Sequence, residues 1–156
     1  MSDFSELLLE ADICELEHTH KYEALHELIS CAVSFISLPN AIHFEDEVVT
    51  REKKQSTGIG KGIAIAHATT GQVEKIRVAL GISRAGIEYD SIDGQPVHLL
   101  FLVANPPNSQ LEYLSVLSAL VRLLREPSFR RSIICCTSAC EVKQLIEDSL
   151  SYVLSA

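Results

Sequence analysis

The densest run of chemistry-bearing residue types in this chain is Gly58-Ile-Gly-Lys-Gly62, followed five residues later by His67. Closely spaced glycines let successive backbone N–H groups converge on an anion, so Gly58, Gly60 and Gly62 are candidate phosphate-binding positions. The other reading of the same spacing is a tight glycine turn at a strand edge. Imidazole is largely neutral near pH 7 and can act as a nucleophile, which suits His67 to a transient phosphohistidine. A histidine in such a place is otherwise a satisfied polar group at the margin of a core.

Two nucleotide-binding motifs fail on spacing. A P-loop needs four residues between its glycines and a Ser or Thr after the lysine, whereas Lys61 is followed by Gly62 and Ile63. The dinucleotide fingerprint needs a strand before the glycines and a helix after them, and here a strand pattern follows.

The elements that must position these residues are legible in the hydrophobic spacing. Ile63, Ile65 and His67 share strand parity, so the histidine leaves the sheet on the side of the two isoleucines, at the end of the strand. Leu7 to Leu16 is expected to hold a short strand. The set Tyr22, Leu25, Leu28, Ile29, Ala32, Val33 and Ile36 recurs at three and four and predicts one amphipathic helix from Lys21 to Ile36. Leu38-Pro39 breaks it, and Asn40 is an N-cap for a second helix to about Lys53. Val73 to Ile82 and Val97 to Ala104 read as strands, the second apolar on both faces and therefore central. Tyr89 to Gly94 is turn chemistry. Asn108 or Ser109 caps a helix whose inward stripe is read as Leu111, Leu114, Leu117, Val121 and Leu124, ending at Glu126-Pro127. Ser138 and Glu141 form a capping box for a last helix to about Val153. The expected architecture is α/β: one domain over residues 1–156, with a mixed β-sheet and helices on both faces.

Composition sets the outer limits. The chain has 156 residues, 47% apolar and 22% charged, which supports one well-filled core and excludes disorder and coiled coil. Net charge is −8, split as −10 over residues 1–48 and +2 over residues 49–156. Such a surface repels a phosphate backbone, so nucleic acid is not an expected partner, while the acidic N-terminal part offers a complementary field to a basic protein. No apolar run reaches the ~20 residues of a membrane span, and the acidic start opens no signal peptide, so membrane insertion is not expected. Cys14, Cys31, Cys135, Cys136 and Cys140 fit no disulfide framework and are read as reduced, buried thiols, in keeping with a cytoplasmic protein. His18, His20 and Cys14 lack the remaining spacing of a metal site, so no metal or other cofactor is expected. His98 is read as a satisfied core histidine. Arg122, Arg125, Arg130 and Arg131 are read as a solvated helix face rather than an anion site.

Thr50-Arg-Glu, Ser56-Thr-Gly-Ile-Gly60, Gly62-Ile-Ala-Ile-Ala-His67 and Ile92-Asp-Gly-Gln-Pro-Val97 together resemble the fructose/mannitol-type enzyme IIA domains of the bacterial phosphotransferase system. The resemblance is strongest over residues 49–146 and most similar to the nitrogen-regulatory members. It implies the mixed-sheet fold already expected. It further implies that His67 is the residue phosphorylated by a histidine-containing phosphocarrier protein, and that Arg51 screens the phosphoryl charge through its guanidinium. Two positions depart from the family pattern. Ala66 stands where proline usually precedes the histidine, which adds a backbone N–H and freedom at a turn. Tyr113 stands where a second active-site histidine is expected; it can donate a hydrogen bond to a phosphoryl oxygen but is ill suited to shuttling a proton near neutral pH. The function implied is that of a phosphoryl-accepting regulator that controls target proteins by its phosphorylation state. The alternatives are an interaction module that kept the fold without phosphorylation, and a sugar-transport component.

Overall fold

The computed structural model describes residues 11–155, which form a five-stranded mixed sheet with helices packed on both faces, as expected from the sequence. The strands are β1 (Asp12–Glu15), β2 (Gly58–Gly60), β3 (Ile63–Thr69), β4 (Arg77–Ile87) and β5 (Val97–Asn105), in the order β1-β4-β5-β3-β2. The helices are α1 (Lys21–Cys31), α2 (Val33–Ile36), α3 (Ala41–Lys54), α4 (Gln110–Leu124), α5 (Pro127–Cys135) and α6 (Ala139–Ser155). β1 runs parallel to β4 and β3 parallel to β5, while the β4–β5 and β2–β3 pairs are antiparallel.

The alternation of β3 shows why the sheet has two cores. Ile63 and Ile65 point into a cluster with Phe101, Val116, Leu120, Phe129 and Ile146, on the side covered by α4, α5 and α6. Ala64, Ala66 and Ala68 point the other way, toward Leu28, Phe44 and Val48 of α1 and α3. Small residues on that face let α3 approach the strand closely, while the branched residues fill the deeper space opposite. β5 serves both cores, with Leu99, Phe101 and Val103 in one and Leu100, Leu102 and Ala104 in the other. Each fully buried Leu or Phe removed from water there stabilises the fold by about 1.5–3 kcal/mol.

Several elements differ from the sequence-based expectation. The helix expected over 21–36 is interrupted at Ala32, which is extended at φ −76° and ψ 119°. The cause is Ser34: its N–H and hydroxyl both donate to the Asp12 carboxylate, and its carbonyl accepts from Arg77 Nη1. These bonds from β1 and β4 replace helical ones, bury Phe35 against Phe44 and leave Val33 and Ile36 in solvent. In α4 the expected stripe is partly out of phase: Leu117 and Leu124 face the core as read, Leu111, Leu114 and Val121 are exposed, and Val116, Leu120 and Leu123 are buried in their place. β4 begins at Arg77 and continues to Ile87, five residues past the expected end. α5 begins at Pro127, where only a helix end was expected; proline is well tolerated at the first helical position. Within the expected turn over residues 89–94 the Gly94 N–H donates to the Ser91 carbonyl, and Tyr89 at its start is fully buried. No cysteine is fully buried: Cys31, Cys135 and Cys140 are exposed, and Cys14 and Cys136 are half-buried.

The caps behave more nearly as read. Asn40 accepts the His43 N–H at 3.1 Å and starts α3. Ser138 Oγ accepts the Glu141 N–H, but the Glu141 carboxylate reaches back to the N–H and hydroxyl of Thr137, one residue before the cap. The strand expected within residues 7–16 is β1, Asp12–Glu15; residues 7–10 of that stretch lie outside the described residues.

Candidate functional site

His67 is the fifth residue of β3 and projects from the α4 side of the sheet, as its parity with Ile63 and Ile65 requires. The strand does not end there but continues to Thr69 in register with β5, with His67 opposite Val103. Ala66 is therefore a buried, ladder-paired strand residue rather than part of a turn. The ladder holds the backbone on which His67 sits.

The ring of His67 lies against Tyr113 from the first turn of α4, with centroids 5.0 Å apart and planes tilted by 40°. Its Nδ1 is 3.3 Å from the Ile65 carbonyl oxygen. A carbonyl can only accept, so Nδ1 carries the proton and Nε2 keeps its lone pair. Burial lowers the pKa of His67 below the ordinary histidine value; the nearby Arg51 charge lowers it further, while the Ile65 carbonyl and Glu52 act in the opposite direction. The imidazole is thus neutral at pH 7, with one nitrogen fixed and the other nucleophilic.

Arg51 comes from the last turn of α3. Its Nη1 donates to the Gln55 carbonyl at 3.0 Å, which ties the guanidinium to the end of its own helix. From there its charge acts on both His67 and Tyr113. Burial raises the pKa of the Tyr113 hydroxyl and Arg51 opposes that shift, so the group is a neutral hydrogen-bond donor. The structure brings together His67, Tyr113 and Arg51 from a central strand and two helices on opposite sides of the sheet. A half-buried neutral nucleophile, a fixed cation and a hydroxyl donor form a set suited to receiving a charged electrophile.

The three glycines are not part of that set. Gly60 and Gly62 have φ of +95° and +78° and shape the β2–β3 hairpin with Lys61, itself at φ +59°. The Lys61 N–H donates to Asp93 Oδ2 at 2.9 Å, and the Gly62 carbonyl accepts the N–H groups of His98 and Leu99. Gly58 packs against Ser91. At about 3.3 Å per residue, Gly62 stands roughly 16 Å along the strand from His67. The turn reading of these residues therefore describes them better than the phosphate-cradle reading, because the hairpin lies at the other end of β3.

A buried cluster beside the site has no motif in the sequence to mark it. Glu52, next to Arg51, is only 2% exposed. Its carboxylate accepts from the Thr57 N–H at 2.7 Å, the Thr57 hydroxyl, the Tyr89 hydroxyl at 3.0 Å and Lys21 Nζ at 3.2 Å. Lys21 also lies 4.8 Å above the Tyr89 ring centroid. This cluster ties the start of α1 and the entry to β2 onto the end of α3 that carries Arg51. The signal was present: Phe44, Val48 and Glu52 follow one another at i+4, so a charged residue occupies the buried face of a helix.

The remaining candidates lie elsewhere. His18 pairs with Glu27 at 3.0 Å and His20 with Glu88 at 3.6 Å. His98 is half-buried, with Nδ1 2.8 Å from the Ser83 carbonyl oxygen, as a satisfied histidine should be. Arg130 does not lie on a purely solvated face: its Nη1 donates to the carbonyls of Leu124 and Arg125 at the end of α4. No helix among the described residues is long and apolar enough to cross a membrane.

Comparison with known proteins gives the family. Residues 8–149 match the family described as phosphoenolpyruvate-dependent sugar phosphotransferase system, EIIA 2. The nitrogen regulatory protein of Escherichia coli is 36% identical over 133 residues, covering 83% of this chain and 79% of that protein. The fructose-specific EIIABC component of Bacillus subtilis is 34% identical over 119 residues; the match covers 76% of this chain but only 19% of that much longer protein. Among solved structures, the nitrogen regulatory protein IIA-Ntr from Neisseria meningitidis superposes with a TM-score of 0.76 at 30% identity, covering 93% of this chain and 99% of that one.

Proposed function

The chain belongs to the EIIA 2 family of the phosphoenolpyruvate-dependent sugar phosphotransferase system, and on that premise we propose that it is a regulator that accepts a phosphoryl group on His67. The donor is a histidine-containing phosphocarrier protein. The observation that carries the proposal is the 3.3 Å contact between His67 Nδ1 and the Ile65 carbonyl oxygen: a carbonyl only accepts, so the contact favours the proton on Nδ1 and leaves Nε2 to attack. The P–N bond to the carrier's imidazole breaks as the P–N bond to His67 Nε2 forms, and the electron pair returns to the carrier. Because His67 is already neutral, no proton must leave before attack. Arg51 screens the charge on the transferring group and Tyr113 donates to one of its oxygens, so catalysis rests on positioning and electrostatics.

A phosphoryl group at the half-buried His67 adds nearly two negative charges to this patch, which changes which target proteins the surface accepts. Tyr113 supports the regulatory reading over sugar transport. A tyrosine of raised pKa is a poor proton relay, and a regulator need not pass its phosphoryl group to a permease. The likeness to nitrogen regulatory proteins supports the same reading.

Intact-mass spectrometry after incubation with the general phosphotransferase proteins and phosphoenolpyruvate tests it. Gain of one phosphoryl group in the parent protein, its loss in His67→Ala and slowed gain in Arg51→Ala are expected. No gain, with the carriers active on another acceptor, overturns the proposal and leaves a protein-interaction module.

A further inference from the structure

A second cationic site lies on the same side of the sheet as His67, at the opposite end of β3 and β5. A hollow of about 190 Å³ opens between the β2–β3 hairpin, the start of β5 and the first turns of α5. Lys61, His98, Arg130 and Arg131 converge on it from these three elements, and no carboxylate lines it. Lys61, His98 and the adjacent pair Arg130–Arg131 are far apart in sequence; only the fold brings these three places together.

The side chains are not equally committed. Arg130 is spent partly on the carbonyls that end α4. Lys61 and Arg131 form no ion pair with any described residue. The Asp93 carboxylate, from the loop before β5, is turned to the backbone N–H groups of Lys61 and Gln95. Like charges held around one concave surface repel each other, and an anion in the hollow removes that cost.

We infer that this hollow binds a small dianion, a phosphate monoester or a dicarboxylate of about three or four carbons. At about 190 Å³ and open to solvent, the hollow is smaller than the usual site for a drug-sized ligand and suits a small acid. Lys61 and Arg131 supply the charge, and Arg131 offers the planar fork that suits either acid group. The site is separate from the phosphoryl acceptor, since Gly62 at its floor stands roughly 16 Å from His67 along β3. The inference does not depend on the phosphotransfer reading.

The experiment is a two-dimensional ¹H–¹⁵N NMR titration of the unphosphorylated chain at low ionic strength, with inorganic phosphate, glycerol 3-phosphate and succinate, and chloride as control. Saturable shifts at Lys61, Gly62, Leu99 and Arg131 are expected, with little change at His67 and Arg51. Arg131→Ala and Lys61→Asn should each weaken binding about tenfold; asparagine accepts the left-handed backbone at position 61, so the hairpin survives. Binding of either acid supports the site, and the tighter one identifies the ligand's acid group. Shifts that match those from chloride, shifts confined to His67 and Arg51, or affinities unchanged in both variants overturn the inference.

Discussion

Glu52→Gln isolates the charge of the buried cluster beneath Arg51 while keeping its shape. Turned so that its oxygen faces the Thr57 N–H and Lys21, the amide still accepts from both, and its NH₂ donates to the Thr57 and Tyr89 hydroxyls, which can rotate to accept. What is lost is the counter-charge of Lys21, whose side chain is 11% exposed. Breaking a buried pair by removing one partner costs about 3–5 kcal/mol. The residual exposure of Lys21 and the surviving hydrogen bonds bring the expectation to about 2–4 kcal/mol, or about 4–16 °C in Tm for a domain of this size. Lys21→Met in the Glu52→Gln background removes the stranded ammonium and should recover more than half of that loss, whereas Lys21→Met alone is destabilising. Urea unfolding of the four proteins of the cycle gives the coupling directly. A Glu52→Gln protein within about 0.5 kcal/mol of the parent, or additive single effects, would refute the reasoning and make the pair ornamental.

Three further outcomes follow from the site and its frame. In an NMR titration the His67 ring should protonate below the ordinary value of about 6.5, because burial disfavours the charged form. Between the folded and unfolded pKa values the unfolded chain binds more protons, so stability falls as pH drops through that window, and His67→Gln should flatten this slope. Tyr113→Phe keeps the ring contact and removes only the hydroxyl; phosphoryl acceptance should slow about tenfold with the acceptor nitrogen unchanged, read by quenched-flow mass spectrometry. In Gly58→Ala the added methyl lands on Ser91 Oγ and 2.9 Å from its Cα, so about 1–3 kcal/mol of stability should be lost, and Ser91→Gly should return part of it in thermal melts.

Burial on two sides made β5 easy to read, because an unbroken apolar run of that length has few other uses. His67 stood out by type and by strand parity, both local properties. The phase of α4 did not, since Tyr113, Val116, Leu117, Leu120 and Leu124 recur at three and four as regularly as the exposed Leu111, Leu114 and Val121. Only the docking of Tyr113 over His67 chooses between the two stripes, and that contact joins distant elements. The glycine run misled for a related reason. Its spacing reports backbone freedom, and nothing in it says which end of β3 carries His67. The break at Ala32 depends on Asp12 and Arg77, one from each side of the helix in sequence, so the period of the helix alone could not place it.

The short strand β2 has a consequence for how partners meet this protein. Its outer margin is covered, because the Gly58 carbonyl accepts the Ile92 N–H at 3.1 Å and the loop that carries Ser91 lies against Gly58. With three residues, two of them glycine, and a register shift between Gly58 and Gly60, it offers no straight row of free backbone groups. An incoming peptide cannot extend the sheet there by strand addition, and two molecules cannot zip together along that side. Recognition on this flank must therefore read side chains, so one substitution of a surface charge there alters it where a backbone ladder would be indifferent.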